Sequence, residues 1–256
     1  MSVIDISTQL ARGPRSRVYR VGVELEGGWM KVPDGVQIIR DSSVHLVPPP
    51  MPDDIAIAPD RVRTIWAKKH IPQHVGELPS PPLEPQHIPT WLRTNYPPCH
   101  NETCGMHVHM SFRNALTYQR LMVEDFQDTM LEFLGRWATV NLPADHHIWS
   151  RLRGEVEYCQ KKFYADAQAS MRNKDYDHHR PGCRYTAIHY AYSRIGTIEC
   201  RVLPMMPTVD LAIAAVKEVE KITTAFLVAT AARELPIEAS WIVREPSINE
   251  EYVECV

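Results

Sequence analysis

Three segments of the chain alternate apolar with polar side chains, and this alternation constrains the fold more than any other feature. They run from Val18 to Glu26, from Cys104 to Phe112 and from Gly196 to Leu203. Successive side chains of a β-strand point to opposite faces of its sheet, so a period of two separates apolar from polar residues. We therefore predict three amphipathic strands, each with its apolar face on the core.

The polar faces of these strands carry a distinctive set of side chains. A solvent-facing side typically mixes Lys, Thr, Ser and Gln, and for any single strand that explanation remains an alternative. Cys200 lies between Glu199 and Arg201 in the third segment, so the alternation predicts that its side chain faces the core. Together, however, the three faces supply three glutamates, two histidines and one arginine: Glu24, Glu26, His107, His109, Glu199 and Arg201. This composition is typical of a binding site.

The chemistry of this set favours a divalent cation that also holds phosphate. Paired carboxylates with imidazole bind such cations, and oxygen-rich ligation favours magnesium or manganese over zinc. Arginine suits phosphoryl oxygens because its planar guanidinium donates two hydrogen bonds at once. The three strands thus predict a site for a metal ion and a phosphate group.

Two further segments have the spacing of amphipathic helices. One covers about 116–140 and the other begins with Thr208 as a predicted N-cap and ends near Arg233. Apolar residues recur every three or four positions in both, which indicates core packing against a sheet. The two stripes are Met122, Phe126, Met130, Phe133 and Trp137, and Ala212, Ala215, Val219, Ile222, Phe226 and Ala229.

Composition narrows the class of protein. The 256 residues, 44% of them hydrophobic, suffice for one substantial core, and a formal net charge of -3 gives no basic excess for nucleic acid. No apolar run approaches the roughly 20 residues of a membrane span, and no basic, apolar leader is found. Six cysteines without a CxxC pair indicate reduced thiols. We expect a soluble, cytoplasmic, single-domain protein.

Prolines are concentrated in residues 47–59 and 79–98, where we predict long surface loops that cover the site. Two histidine pairs, His146-His147 and His178-His179, are more typical of surface loops than of metal sites.

Five motifs resemble one family, in the family's order. The run Cys104 to Phe112 resembles the glycine-methionine-histidine-x-histidine-x-serine strand of glutamine synthetase, and Thr197 to Arg201 resembles that enzyme's glutamate-x-arginine strand. The segments Gly22 to Glu26, Gly76 to Leu83 and Arg184 to Ile188 are similar to the amidoligases, compact relatives of glutamine synthetase and of glutamate-cysteine ligase.

The resemblance spans about residues 18–230 and implies an α+β fold over residues 1–256, with an acidic tail over about 245–256. In that family a curved antiparallel sheet, the catalytic half-barrel, holds ATP and Mg²⁺ or Mn²⁺ on its concave face, and helices pack on the convex face. The implied activity is ligation of a carboxylate to an amine through an acyl phosphate.

The resemblance also assigns roles to individual residues. Glu24, His107 and Glu199 would ligate one metal ion, and Glu26 with Glu77 would hold another. ATP phosphates would be contacted by His109 and Arg201, with Arg184 as a further clamp for phosphate or carboxylate. Asp41 lies where relatives carry an aspartate-glycine-serine turn and would position substrate. The catalytic pair is thus Arg201 and Asp41.

Three positions depart from the family pattern. Ser42 replaces the turn glycine, Cys200 replaces an aromatic or aliphatic residue, and His189 stands where relatives often have asparagine. The last change touches a substrate or nucleotide contact and leaves the identities of both substrates open. The sequence shows no interface pattern, so oligomeric state is open as well.

Two other functions remain as alternatives. The first is a zinc module built from Cys99, His100, Cys104, His107 and His109, whose spacing fits no common zinc pattern. The second is a metal- or nucleotide-binding protein without ligase turnover.

Overall fold

The computed structural model describes residues 3–41, 43–46, 50–101, 103–161, 185–190 and 196–232. A short 3-10 helix spans Pro85–His87. The other elements, in chain order, are α1 (Ser7–Arg12), β1 (Arg20–Trp29), α2 (Asp53–Ala56), α3 (Asp60–His70), β2 (His74–Pro79), α4 (Ile88–Asn95), β3 (Gly105–Ser111), α5 (Ala115–Leu121), α6 (Glu124–Asn141), α7 (Ile148–Arg153), β4 (Ile188–His189), β5 (Ile198–Pro204) and α8 (Val209–Ala229).

Five strands of the described part form one open antiparallel sheet in the order β2-β1-β3-β5-β4. All three predicted strands are present, with bounds displaced by one to three residues. The predicted α+β class is therefore confirmed. Along β1 the residues from Arg20 to Glu26 alternate between half-buried and buried, as the sequence predicted.

Helices cover the apolar face of the sheet. Helix α8 packs against β3 and against α6, where the rings of Phe126 and Phe226 meet edge to face with centroids 5.2 Å apart. The predicted cap is confirmed, because the Thr208 hydroxyl accepts a hydrogen bond of 3.2 Å from the backbone N–H of Leu211. None of the described helices combines the length and the apolar character of a membrane-spanning segment.

The single helix predicted over residues 116–140 is wrong, because α5 and α6 are separate. Val123 between them has the extended backbone of a strand, with φ -135° and ψ 148°. A β-branched residue tolerates this conformation well. Met122 leaves the helix at the end of α5 yet stays buried, so the apolar stripe still reaches the core.

The long loops predicted in the proline-rich segments are also wrong in part. Helix α2 lies in the first segment, and the 3-10 helix and α4 lie in the second. Proline occupies the residue before α2 and the first turns of the 3-10 helix and α4. These are positions where its missing N–H has no helical partner to lose.

Candidate functional site

The strand register brings the predicted site residues together on the polar face of the sheet. In an antiparallel pair, residues directly opposite each other have neighbouring side chains. Three such pairs involve predicted site residues: Glu24 with His107, Glu26 with Glu77, and His109 with Glu199. Four adjacent strands therefore contribute to one cluster.

His107 lies at the centre of this cluster. Its Nδ1 atom is 3.1 Å from Glu24 Oε2 and 3.4 Å from Glu199 Oε1, and its Nε2 atom is 3.7 Å from Glu26 Oε1. The side chain of His107 is 7% exposed, so this polar face is not simply a solvated side of a strand.

Glu199 anchors the side of the cluster that lies on β5. Its Oε2 atom is 2.8 Å from His189 Nδ1, and its Oε1 atom contacts Nη1 of Arg201. Burial opposes ionisation, yet the charges of Arg201 and His109 hold the pKa of Glu199 well below its usual range. His189, one of the departures from the family pattern, thus orients a predicted metal ligand.

His109 is buried behind Glu24. Its Nε2 atom lies 3.0 Å from Glu24 Oε1, and its Nδ1 atom lies 3.1 Å from the hydroxyl oxygen of Thr197. Burial disfavours the charged ring, but the carboxylates of Glu24 and Glu199 outweigh it and raise the pKa of His109 to about 9.

Glu77 shows the excess of negative charge at the site. Burial, together with the nearby carboxylates of Glu24 and Glu26, raises the pKa of Glu77 to about 10. Burial acts in the same direction on Glu24, but the histidines beside it lower the pKa of that carboxyl. Adjacent carboxyl groups of this kind cannot all ionise without a cation between them.

Two groups of side chains have ligand atoms that all lie within 4.8 Å of one another, as a metal site requires. The first is Glu24, Glu77 and His107, and the second is Glu24, His109 and Glu199. The set predicted for one metal, Glu24, His107 and Glu199, shares two members with each group. Carboxylate oxygens with imidazole nitrogen fit a divalent cation such as Mg²⁺ or Mn²⁺.

A cavity of about 700 Å³ opens over the cluster. Its size lies in the range of about 300–1,000 Å³ typical of small-molecule sites. Six predicted residues line it: Glu24, Glu26, Asp41, Glu77, His107 and Arg201. His109 and Glu199 lie behind this lining, and Arg184 lies outside the described residues.

Comparison of the chain with protein-family models, with curated proteins and with solved structures finds no match. The geometry also bears on the zinc alternative. Within the described ranges, neither group that could hold a metal contains a cysteine, so Cys99 and Cys104 do not join the histidines in a site.

Several cavity residues were not predicted as site residues. They come from the loop after β1, from the region around α7 and from the residues just before β3 and β4. They are Ser43, His45, Thr103, His147, Ser150, Arg151, Val156, Tyr158 and Tyr185. The adjacent histidines His146 and His147 could have indicated that His147 belongs to the site, although the pair is more typical of a surface loop than of a binding site. Arg151 had no sequence signal, because it follows no alternation or motif.

Gly105 allows side chains of β1, β3 and α7 to lie close together. A Cβ atom at this position would lie 2.9 Å from His107 Nε2 and 3.3 Å from both Arg151 Nη1 and Glu26 Oε2. The backbone N–H of Gly105 also donates a 2.5 Å hydrogen bond to Glu26 Oε2. A larger residue at this position would push the His107 ring away from its place at the start of β3.

Proposed function

We propose that this chain is an ATP- and Mg²⁺-dependent ligase that joins a carboxylate to an amine. The supporting observation is that four carboxylates, three imidazoles and two guanidinium groups line a single cavity of ligand size. We further propose that the antiparallel sheet corresponds to the catalytic sheet of the glutamine synthetase superfamily, on the strength of the motif resemblance.

In this proposal the chain's residues bind and orient the reactants. Glu24, Glu77 and His107 would hold a divalent cation, which supplies positive charge to the phosphate groups of ATP. Arg201 would donate hydrogen bonds to the transferred phosphoryl group, for which catalysis is mainly positioning and electrostatics. Arg184 keeps its proposed role as a further clamp for phosphate or carboxylate. His109 has its two ring nitrogens beside Glu24 and Thr197, so in this proposal it would support Glu24 and not contact ATP directly.

The proposed reaction has two balanced steps. The substrate carboxylate attacks the terminal phosphorus of ATP and releases ADP, leaving an acyl phosphate. The amine then attacks the acyl carbon, the C–O bond to phosphate breaks, and phosphate and one proton from the amine are released, leaving an amide. Asp41 would position a reactant, because its Oδ1 atom is itself fixed by hydrogen bonds of 2.7 Å and 2.8 Å from the backbone N–H and the hydroxyl of Ser43.

One observation favours the alternative of a metal-binding protein without turnover. Arg201 is 8% exposed and contacts Glu199, so part of its hydrogen-bonding capacity is used within the protein. In that alternative the guanidinium serves the structure of the site and not a phosphoryl group.

The test is an activity measurement with a broad substrate pool. Purified protein is incubated with ATP, Mg²⁺, amino acids, polyamines and short peptides, while phosphate release and product masses are followed. The matched variants are Glu24→Gln, which removes a cavity carboxylate, and Asp54→Asn, which changes an exposed carboxylate on α2.

The ligase proposal expects phosphate release that Glu24→Gln abolishes and Asp54→Asn leaves intact. It also expects a product lighter by one water than its two precursors combined. If neither turnover nor Mg²⁺-dependent ATP binding is detected, the noncatalytic alternative replaces the proposal.

A further inference from the structure

Arg151 is a buried cation on the cavity wall. It lies in the last turn of α7, its residue is 7% exposed, and it lines the cavity described above. Its guanidinium N–H groups donate to the backbone carbonyl oxygens of Thr103 at 3.1 Å, Arg201 at 3.4 Å and Leu203 at 3.5 Å. These bonds tie the guanidinium to the ends of β3 and β5 and leave further donors of its fork available.

The positive charge of Arg151 has no ion-pair partner among the described acidic residues. No described carboxylate oxygen lies within 4.0 Å of its guanidinium nitrogens, whereas Arg153 on the same helix pairs with Glu155 at 2.6 Å. The nearby Glu26 already accepts the hydrogen bond from Gly105 through its Oε2 atom. Backbone carbonyls satisfy donors without neutralising charge.

Burying a charge without a counterion is expensive. Burial lowers the pKa of Arg151, but arginine begins so far above neutrality that it keeps its proton. Glu26 acts on this charge only from a distance, so a buried cation without a direct ion-pair partner lies beside a ligand-sized cavity and is suited to an anion that arrives with the ligand. The guanidinium geometry matches carboxylate and phosphate groups.

We propose that Arg151 binds an anionic oxygen group, a carboxylate or a phosphate, of the substrate that occupies the cavity. This inference deepens the proposed function and rests on it for one point: the bound group is additional to the carboxylate that reacts. The substrate would thus carry at least two anionic groups, one at the metal and Arg201 and the other at Arg151.

The wall next to Arg151 suits the carbon skeleton of such a substrate. The rings of Tyr158 and Tyr185 meet edge to face with centroids 5.1 Å apart, and Val156 lines the same cavity. Tyr158 is 48% exposed, so its ring offers apolar surface to a ligand. A short dicarboxylate is therefore the appropriate organic probe, with inorganic phosphate as the probe for the other source of anionic oxygens.

The test measures anion binding to the full chain by isothermal titration calorimetry in the presence of Mg²⁺ and without ATP. The probes are glutarate, inorganic phosphate and the monocarboxylate butyrate. The variants are Arg151→Met, which removes the charge, Arg151→Lys, which keeps the charge without the fork, and the exposed control Arg153→Gln. Circular dichroism checks that each variant is folded.

We expect wild-type protein to bind glutarate or phosphate more tightly than butyrate. Arg151→Met should weaken that binding by roughly tenfold to a hundredfold, the usual effect of losing a hydrogen bond to a charged group. If Arg151→Met fails to fold, Arg151→Lys should still show at least a tenfold loss, while Arg153→Gln binds as wild type. A preference for glutarate identifies a second carboxylate on the substrate, and a preference for phosphate identifies a phosphoryl group.

The proposal is overturned if wild-type protein binds neither glutarate nor phosphate, or if folded Arg151 variants bind them as wild type does. Because the assay needs neither ATP nor turnover, an Arg151-dependent anion site can stand even if ligase activity is absent. Conversely, ligase turnover with unchanged KM for the substrate in Arg151→Lys would retain the proposed function and remove this inference.

Discussion

Glu77 shows most clearly the repulsion between the acidic side chains of the site. Its carboxyl lies opposite Glu26 on the neighbouring strand and beside Glu24, in a partly buried position. Burial and these neighbours raise the pKa of Glu77 to about 10, so the group keeps its proton at neutral pH. In an unfolded chain the same glutamate would ionise near its ordinary value of about 4.3.

This difference predicts a pH dependence of stability in metal-free protein. Between the two pKa values the folded state holds a proton that the unfolded state has released, so the free energy of unfolding falls as the pH rises. His109, whose pKa is raised to about 9, adds in the same direction above its ordinary value of about 6.5. Urea unfolding with EDTA between about pH 7 and pH 9 should therefore show decreasing stability.

The Glu77→Gln variant isolates the contribution of that group. It should show a shallower decline of the unfolding free energy over the same pH range, because glutamine does not titrate. Glu157→Gln, at an exposed position outside the cluster, should keep the wild-type slope. Identical slopes for wild type and Glu77→Gln would contradict the interpretation of Glu77.

At the scale of elements, hydrogen bonds to β2 hold the loop that follows β1 beside the cavity. Ile39 and Glu77 exchange two backbone hydrogen bonds of 2.8 Å, which place the following Asp41 and Ser43 at the cavity. Gly76 makes this approach feasible, because a Cβ atom there would lie 2.1 Å from the carbonyl oxygen of Ile39. Backbone atoms on both sides cannot yield as a flexible side chain could.

Gly76→Ala should therefore separate the loop from β2. We expect the free energy of unfolding to fall by about 2 kcal/mol or more, from two lost hydrogen bonds and added strain. Gly135→Ala in α6 is the matched control, because its new Cβ would lie 3.9 Å from Leu152 Cδ1, an ordinary contact.

The control should gain roughly 0.5–1 kcal/mol of stability, since glycine is the weaker helix residue. Urea denaturation of both variants provides the comparison. Wild-type stability in Gly76→Ala would mean that the loop does not depend on this approach.

At the scale of the whole molecule, cation binding should couple to folding. The clustered carboxylates favour a divalent ion in the folded state, and the unfolded chain lacks the cluster. At an ion concentration about 100 times the Kd, the folded state gains about 2.7 kcal/mol. For a chain of this size each kcal/mol raises Tm by roughly 2–4 °C.

Differential scanning calorimetry with Mg²⁺ or Mn²⁺, compared with EDTA, measures this shift. Glu24→Gln should abolish most of it, because Glu24 belongs to both groups that could hold a metal. The exposed Asp54→Asn should retain it. A Glu24→Gln protein that is stabilised as much as wild type would exclude the cluster as the cation site.

Local periodicity made part of this molecule predictable. Alternation placed Glu24 and Glu26 on one face of β1, and it correctly put Cys200 in the core. The apolar stripe and the Thr208 cap identified α8. Each of these features depends on residues that are near one another in the chain, where side-chain direction follows from backbone geometry alone.

Contacts between distant segments decided the rest. The register that sets Glu24 opposite His107 joins residues more than 80 positions apart, and Arg151 enters the cavity from a helix with no motif. The alternation of a strand fixes which face a side chain takes, but not which residue of another strand it meets. The sequence by itself determined the polar faces and their chemistry, whereas packing and hydrogen bonding between strands determined how those side chains combine into a cavity.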